Sequence, residues 1–275
     1  CVERGRADGE RDFTVCAGME VGLLALFCRY FGKRFVFRSA SDADCDKSRL
    51  LVRHARDRWL YAYGLRRADA ILVQSASQAQ ALLRSYGLAS RIAGMLVEHP
   101  RSPPPHDLDV LWVGNIRGVK RPDRVLELAA KLPQFNFHMV GGPLSGDEAL
   151  YEAVRDAAAT RTNLTFHGRL SYGDANDLYD RAKLLVNTSD VEGFPNSYLQ
   201  AWIRGVPVVT LIDPDRVIER EGLGVAASSP DGLSRAIGAL LGSPTAWQAA
   251  GDRCRYFMAR EFGEDKILTG SLEHF

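Results

Sequence analysis

Apolar residues recur along this chain in two alternating rhythms. Short runs rich in β-branched residues mark buried strands, and stretches with apolar positions three and four apart mark helices. From residue 109 onward the alternation is regular. It predicts strands at 110–113, 135–140, 164–166, 184–186 and 206–210, and helices at 122–132, 147–159, 173–181 and 196–204. The tail, 233–275, reads as helix broken at Gly242-Ser243-Pro244 and at Gly263. Before residue 99 the pattern gives helices at 17–31, 49–63 and 76–85 and strands at 35–37, 70–73 and 92–97, with residues 1–12 charged and patternless. Ser48 is placed to cap the second of these helices. That helix would bury Leu51, Val52, Ala55, Trp59, Ala62 and Tyr63 and turn Arg49, Arg53 and Arg56 outward. Alternating strands and helices imply parallel sheets covered on both faces. Between the two halves, HPRSPPPHD reads as a semi-rigid linker.

Composition changes this picture little. The chain has 275 residues, 46% hydrophobic and 25% charged, with a net charge of +1, which suits a globular protein and gives no reason to expect nucleic acid. Five scattered cysteines without metal-type spacing suit a reduced, cytoplasmic protein. Residue 1 is Cys, and the chain reads as lacking its natural start. The apolar stretch 15–28 is interrupted by Glu20 and too short to span a bilayer.

Candidate chemistry concentrates in VNTSDVEGFPNSYLQAWIRGVPVVT, residues 186–210. A buried strand runs into a polar loop carrying Glu192-Gly193-Phe194. Pro195 and Asn196 then open a helix that ends at Gly205, before the next strand. A carboxylate on such a loop sits at the carboxyl edge of a parallel sheet, where ligands bind. A second constellation, Trp112-Val113-Gly114-Asn115-Ile116-Arg117-Gly118-Val119-Lys120-Arg121-Pro122, places Lys120 just before a helix led by proline, a good setting for a phosphate. Gly141-Gly142-Pro143 and Gly168-Arg169-Leu170 end two more strands on the same edge.

EGFPNSYLQAWIRGVPVV resembles the signature of retaining GT-B glycosyltransferases of family 4 (group 1), which carry a Glu, seven residues, a second Glu and a Gly-x-Pro-Val strand. The resemblance implies two Rossmann-like doubly wound domains facing a cleft, the first incomplete at its amino terminus. The domains would be 1–98 on the acceptor side, a linker at 99–108, a nucleotide-sugar domain at 109–255 and a final helix, 256–275, crossing back to the first. It implies transfer of a sugar from a nucleotide-diphosphate donor to an acceptor hydroxyl with retention, in cell-surface polysaccharide or glycoconjugate synthesis, without a metal or other cofactor. Glu192 would orient the donor sugar and Lys120, joined by Arg117, would hold the diphosphate. Gly114, Asn115, Gly142, Leu170, Gly193, Phe194, Pro195 and Asn196 would line the donor, whose ribose Gln200 would face. The partners implied are a nucleotide-sugar and a carbohydrate or lipid-linked acceptor.

Three features depart from the family pattern: Gln200 replaces its second Glu, Asn115 stands where an Arg is usual, and 38–42 carries no His. They support one alternative, an inactive nucleotide-sugar-binding protein; a sugar-nucleotide epimerase of the same fold, which would isomerise the donor without an acceptor, is a third reading. The Arg49, Arg53 and Arg56 run reads as a solvated face, with peripheral contact at the inner membrane face as the alternative. Asp42-Ala43-Asp44 is a short turn-like Asp-x-Asp and a poor metal candidate. His138 and His167 read as structural.

Overall fold

The computed structural model describes residues 2–5, 11–15, 20–92, 100 and 105–262, the first two segments as backbone only. Two compact units divide the chain, Cys1–Met95 and Leu96–Phe275. Residues 99 and 101–104 of the Pro-rich linker, and residues 263–275 of the expected final segment, lie outside the described residues.

The first unit runs β1 (Val2–Gly5), β2 (Arg11–Val15), α1 (Glu20–Tyr30), β3 (Phe35–Arg38), α2 (Ala55–Leu65), β4 (Ala70–Val73), α3 (Ala76–Tyr86) and β5 (Arg91–Ile92). Its sheet has the order β1-β2-β3-β4-β5. The β1–β2 pair is antiparallel and every other pair parallel. The segment that looked patternless therefore holds β1 and the start of β2. Their charged sequence gave no apolar alternation to read. Phe35, Phe37, Tyr61, Leu65, Val73 and Leu82 form the core under α1 and α2. Those two helices touch backbone to backbone: a Cβ on Gly22 would lie 2.3 Å from the Leu60 carbonyl oxygen, and one on Gly64 2.6 Å from that of Val21. Only glycine allows such an approach.

The helix expected from residue 49 begins instead at Ala55, after His54. Ser48 does not cap it. Its amide and hydroxyl donate to Asp46 Oδ1 at 2.9 and 2.8 Å, closing a local Asx-type turn that holds the chain out of helix. The buried stripe is Tyr61, Gly64 and Leu65, whereas Leu51 and Trp59 are 85% and 66% exposed. Asp42–Cys45 is a 3-10 turn. Its Asp44 carboxylate accepts from the Ala40 and Ser41 amides at 2.9 and 2.8 Å, and Asp42 accepts from Gln78, so both acids are spent on structure.

The second unit runs β6 (Leu108–Val113), α4 (Pro122–Lys131), β7 (Phe137–Val140), α5 (Glu148–Ala159), β8 (Leu164–Phe166), α6 (Tyr172–Arg181), β9 (Ala182–Asn187), α7 (Asn196–Trp202), β10 (Val208–Thr210), α8 (Val217–Glu221), β11 (Gly224–Ala226), α9 (Pro230–Leu241) and α10 (Pro244–Phe262). The sheet order is β11-β10-β9-β6-β7-β8, all parallel. Val110, Trp112, Met139, Leu184, Val186 and Val209 fill its core with Val125, Leu233 and Ile237 from the helices. The pattern missed α8 and β11, which are only five and three residues long. The α/β class and the doubly wound arrangement are as expected. Strand order reverses between β6 and β9, and the crevice at their carboxyl ends is where doubly wound sheets take ligands.

Candidate functional site

The loops leaving β6 and β9 meet at that reversal. A 3-10 turn, Gly118–Lys120, leads into Arg121, which takes a left-handed backbone (φ 49°) before α4 starts at Pro122. A non-glycine residue is rare there and needs its surroundings to hold it. Arg121 is held by its own guanidinium, which donates to Asp123 at 2.7–3.1 Å and reaches Asp190 at 3.5 Å.

The turn delivers Lys120 to Glu192, with Nζ 2.5 Å from Oε1. The same carboxylate oxygen accepts from Ser189 Oγ at 2.7 Å and Asn187 Nδ2 at 3.4 Å. Thr188, fully buried, staples the two loops: its hydroxyl donates to the Lys120 carbonyl at 2.8 Å and accepts from the Trp112 indole at 3.0 Å. Arg124 adds a bond to the Thr188 carbonyl and an ion pair to Asp190, both at 2.7 Å. The Asp190 amide closes onto the Val119 carbonyl at 2.9 Å. The Lys120 and Glu192 side chains stay 26% and 11% exposed, so the pair is pre-organised yet reachable.

The other predicted residues surround this pair unevenly. Gly114, Gly141 and Gly168 extend the sheet ladder past the strand ends, with Gly114 N–H donating to Val140 and Gly141 N–H to Gly168, at 3.0 and 2.8 Å. A Cβ on Gly141 would lie 1.8 Å from the Gly114 carbonyl oxygen. At Gly142 the close approach serves Arg169, whose Nε would meet a Cβ at 2.6 Å and whose guanidinium donates to Pro143 O at 2.6 Å. Asn115 is exposed, and Arg117 lies 3.7 Å from Asp147 rather than beside Lys120's partner. Phe194 packs edge-on against Trp202, with 6.1 Å between ring centres. Pro195 precedes the helix, whose first residue is Asn196, so it sits one position earlier than expected. Gly193 and Leu170 are half-buried in their loops.

Gln200 is 3% exposed. Its carbonyl oxygen accepts from Arg204 at 2.9 Å, and its amide donates to the Tyr172 hydroxyl at 2.8 Å. Arg204 is 2% exposed and pairs with Asp180 at 2.5 Å. Of this group only Gln200 stood out in the sequence; Arg204, Asp180 and Tyr172 join it through the fold. The i, i+4 spacing of Gln200 and Arg204 was the available signal. His138 and His167, which showed no partner in the sequence, partner each other: Nδ1 and Nε2 are 3.0 Å apart and the rings are stacked. Burial pushes both imidazole pKa values down, as does the positive charge of Arg181. Among the described residues no three His, Cys, Asp or Glu side chains converge into a metal site, and no helix is long and apolar enough to cross a membrane.

Known proteins resemble this chain in sequence mainly across the second unit. Residues 107–243 match the family described as "Glycosyl transferases group 1". A D-inositol 3-phosphate glycosyltransferase of Mycolicibacterium paratuberculosis is 31% identical over 180 residues, 62% of this chain and 41% of that one. The O-antigen biosynthesis glycosyltransferase WbnH of Escherichia coli is 32% identical over 100 residues, 36% of this chain and 27% of its own. The chain thus spans less than half the length of these curated relatives. Among solved structures, sucrose-phosphate synthase of Thermosynechococcus elongatus superposes with a TM-score of 0.73 at 19% identity, covering 95% of this chain and 72% of that one. The Anabaena HepE protein, in complex with UDP and glucose, superposes at 0.72 with 14% identity, covering 92% and 74%. These likenesses are of fold, and the fold is that of GT-B glycosyltransferases.

Proposed function

We propose that the chain carries the donor site of a retaining glycosyltransferase that moves a sugar from a nucleotide diphosphate to an acceptor hydroxyl. The observation that carries this reading is the meeting of Lys120 and Glu192 at the strand-order reversal, on two loops locked together by Thr188. The group 1 match and the glycosyltransferase relatives support a transferase.

In this reading the donor's diphosphate takes over Lys120 from Glu192. The released carboxylate, still oriented by Ser189 and Asn187, accepts hydrogen bonds from sugar hydroxyls. The bond between the anomeric carbon and the diphosphate oxygen breaks, and its electron pair leaves with the diphosphate. Lys120 stabilises the charge that develops there, with Arg117 assisting once it leaves Asp147. The acceptor oxygen forms the new glycosidic bond on the face the diphosphate left, and its proton passes to the leaving group or to solvent. No metal is needed for charge balance, because the cations are side chains. The acceptor would be a carbohydrate or lipid-linked sugar of a cell-surface polysaccharide or glycoconjugate, and the setting cytoplasmic.

A second reading is binding without turnover, favoured by Gln200, whose carboxamide is already engaged at both ends inside the chain. Calorimetric titration with UDP, GDP, ADP and dTDP, followed by assay of donor consumption with acceptor panels, separates the two. One diphosphate should bind the wild type and bind Lys120→Ala at least about 10-fold more weakly, as expected for a lost charge-assisted contact. Binding without donor consumption supports the second reading, and absence of binding to the folded protein overturns both.

A further inference from the structure

Between α2, the end of α3 and the turn after Cys45, the first unit holds a cavity of about 200 Å³ lined by Lys47, Leu50, Arg58, Trp59, Ala62 and Tyr86. That is the volume of about seven waters at roughly 30 Å³ each, room for one sugar ring and too little for a nucleoside diphosphate. Its walls are tied down. The Lys47 amide donates to Ser85 Oγ at 3.4 Å, and the Arg58 guanidinium donates to the Lys47 carbonyl. Lys47 Nζ lies 4.9 Å from the centre of the Tyr86 ring. Trp59 is 66% exposed, yet its indole stacks on Tyr63, one helical turn on, with 5.7 Å between ring centres and 22° between planes. Tyr63 in turn carries the Arg67 guanidinium at 5.5 Å. This ring-on-ring contact sets the indole plane, since tilting it would break the stack.

Two features of the cavity are unmatched. Tyr86 is 7% exposed, and its hydroxyl is buried without a hydrogen-bond partner among the described residues. Such a group costs stability until something pairs with it. Burial pushes this phenol up to about 12, with the Arg58 charge opposing, so at neutral pH it keeps its proton and can donate. The second feature is charge. Residues 46–58 carry five cations, Lys47, Arg49, Arg53, Arg56 and Arg58, against two acids, Asp46 and Asp57. Asp46 is engaged by Ser48 and Asp57 by Arg56, while Lys47 and Arg58 have no carboxylate partner among the described residues.

An aromatic wall, a buried donor and two unpaired cations suit a ring with apolar C–H faces, acceptor oxygens and a negative charge. We infer that this cavity holds one hexuronic acid residue of a glycan chain, with Trp59 against the sugar's C–H face, Tyr86 donating to a sugar oxygen, and Lys47 and Arg58 taking the carboxylate. The choice of a glycan rests on the glycosyltransferase reading above, because an enzyme that extends sugar chains meets them in solution. A bilayer surface offers the same charge but nothing that enters a concave site to reach a buried donor.

The test is calorimetric titration of the full chain with hexasaccharides of galacturonate, of mannuronate and of alternating glucuronate and N-acetylglucosamine. One of them should bind, and its methyl ester, which keeps the rings and loses the charges, should bind at least about 10-fold more weakly. Lys47→Gln should cost a similar factor and flatten the salt dependence. Trp59→Ala should cost about 3–10-fold, the scale of one aromatic contact, and Trp59→Phe less. Tyr86→Phe is the sharpest variant: it should weaken binding about 2–10-fold while leaving Tm unchanged or raised, because the hydroxyl it removes is unpaired in the free protein. Binding should also shift the tryptophan emission of the wild type and not that of Trp59→Phe. UDP, GDP and ADP should titrate alike in all these variants and the wild type. If a nucleoside diphosphate binds and no acidic hexasaccharide does, this inference is overturned and the donor site stands. If the ester binds as well as the acid, or Trp59→Ala and Tyr86→Phe bind like the wild type, it is overturned as well. Loss of phosphatidylglycerol-vesicle binding in Trp59→Ala, with no hexasaccharide bound by the wild type, would make this face a membrane contact instead. If an acidic hexasaccharide binds as described and no nucleoside diphosphate does, the cavity is supported and the donor-site reading falls.

Discussion

Replacing Lys120 by methionine keeps the length of the side chain and removes its charge. Glu192 is then left with two neutral donors, Ser189 and Asn187, in a setting where its side chain is only 11% exposed. Breaking a fully buried ion pair costs about 3–5 kcal/mol, because a charge is stranded in low dielectric. An exposed pair is worth about 0–1 kcal/mol. Lys120 is 26% exposed, which places this pair between the two limits. The expected loss is about 1–2 kcal/mol, or roughly 2–8 °C in Tm for a domain of this size. Adding Glu192→Gln removes the stranded charge and should recover most of that loss, so the pair should show a coupling of about 1 kcal/mol in a double-mutant cycle. Binding should not recover with it: both single variants and the double variant should bind nucleoside diphosphate more weakly than wild type. Chemical denaturation and calorimetry read the two quantities separately. If Lys120→Met is as stable as wild type and the double variant shows no coupling, the pair is a solvated contact and the pre-organisation argument is wrong.

Two further outcomes follow from the geometry around the pair. Gly141→Ala forces a Cβ against the Gly114 carbonyl, a backbone atom that cannot rotate away, so the loop carrying Lys120 must shift. A destabilisation of about 1–3 kcal/mol is expected, with weaker nucleotide binding, and unchanged Tm and affinity would refute the crowding. The His138–His167 contact predicts a pH dependence. Burial and then the charges of His167 and Arg181 hold His138 below its ordinary value of 6.5, burial and then Arg181 do the same to His167, and the carboxylates of Asp107 and Asp109 only partly oppose this at His138. The unfolded chain therefore takes up protons first as pH falls, and the stability these two groups supply is present above about 6.5 and lost below it. Tm should fall between pH 7.5 and 5 more steeply in the wild type than in His138→Phe. Parallel curves would show that the pair does not titrate with unfolding.

Much of this protein was readable from its residues, because a buried strand or an amphipathic helix writes its own period into the chain. The strands at Leu108–Val113 and Leu164–Phe166 and the helices at Pro122–Lys131 and Ala76–Tyr86 came out within a few residues of the pattern. The position of Lys120 and Glu192 at the carboxyl edge was also legible, since loop residues after apolar strands of a parallel sheet stand there. What the period could not carry was anything set by a partner far along the chain. Lys120 and Glu192 are 72 residues apart, and only the strand order, with β6 beside β9, makes them neighbours. Gln200 was expected to face the ribose, yet it is buried with its carboxamide engaged inside the chain. Its burial depends on Tyr172 and Arg204 closing over both ends of its carboxamide. Ser48 had the chemistry of a helix cap, but Asp46, two residues away, offered its hydrogen bonds a nearer acceptor. Local sequence decides which elements exist, because their hydrogen bonds close within a few residues. Tertiary structure decides which side chains meet, because a contact across the sheet is formed only after the strands have taken their places.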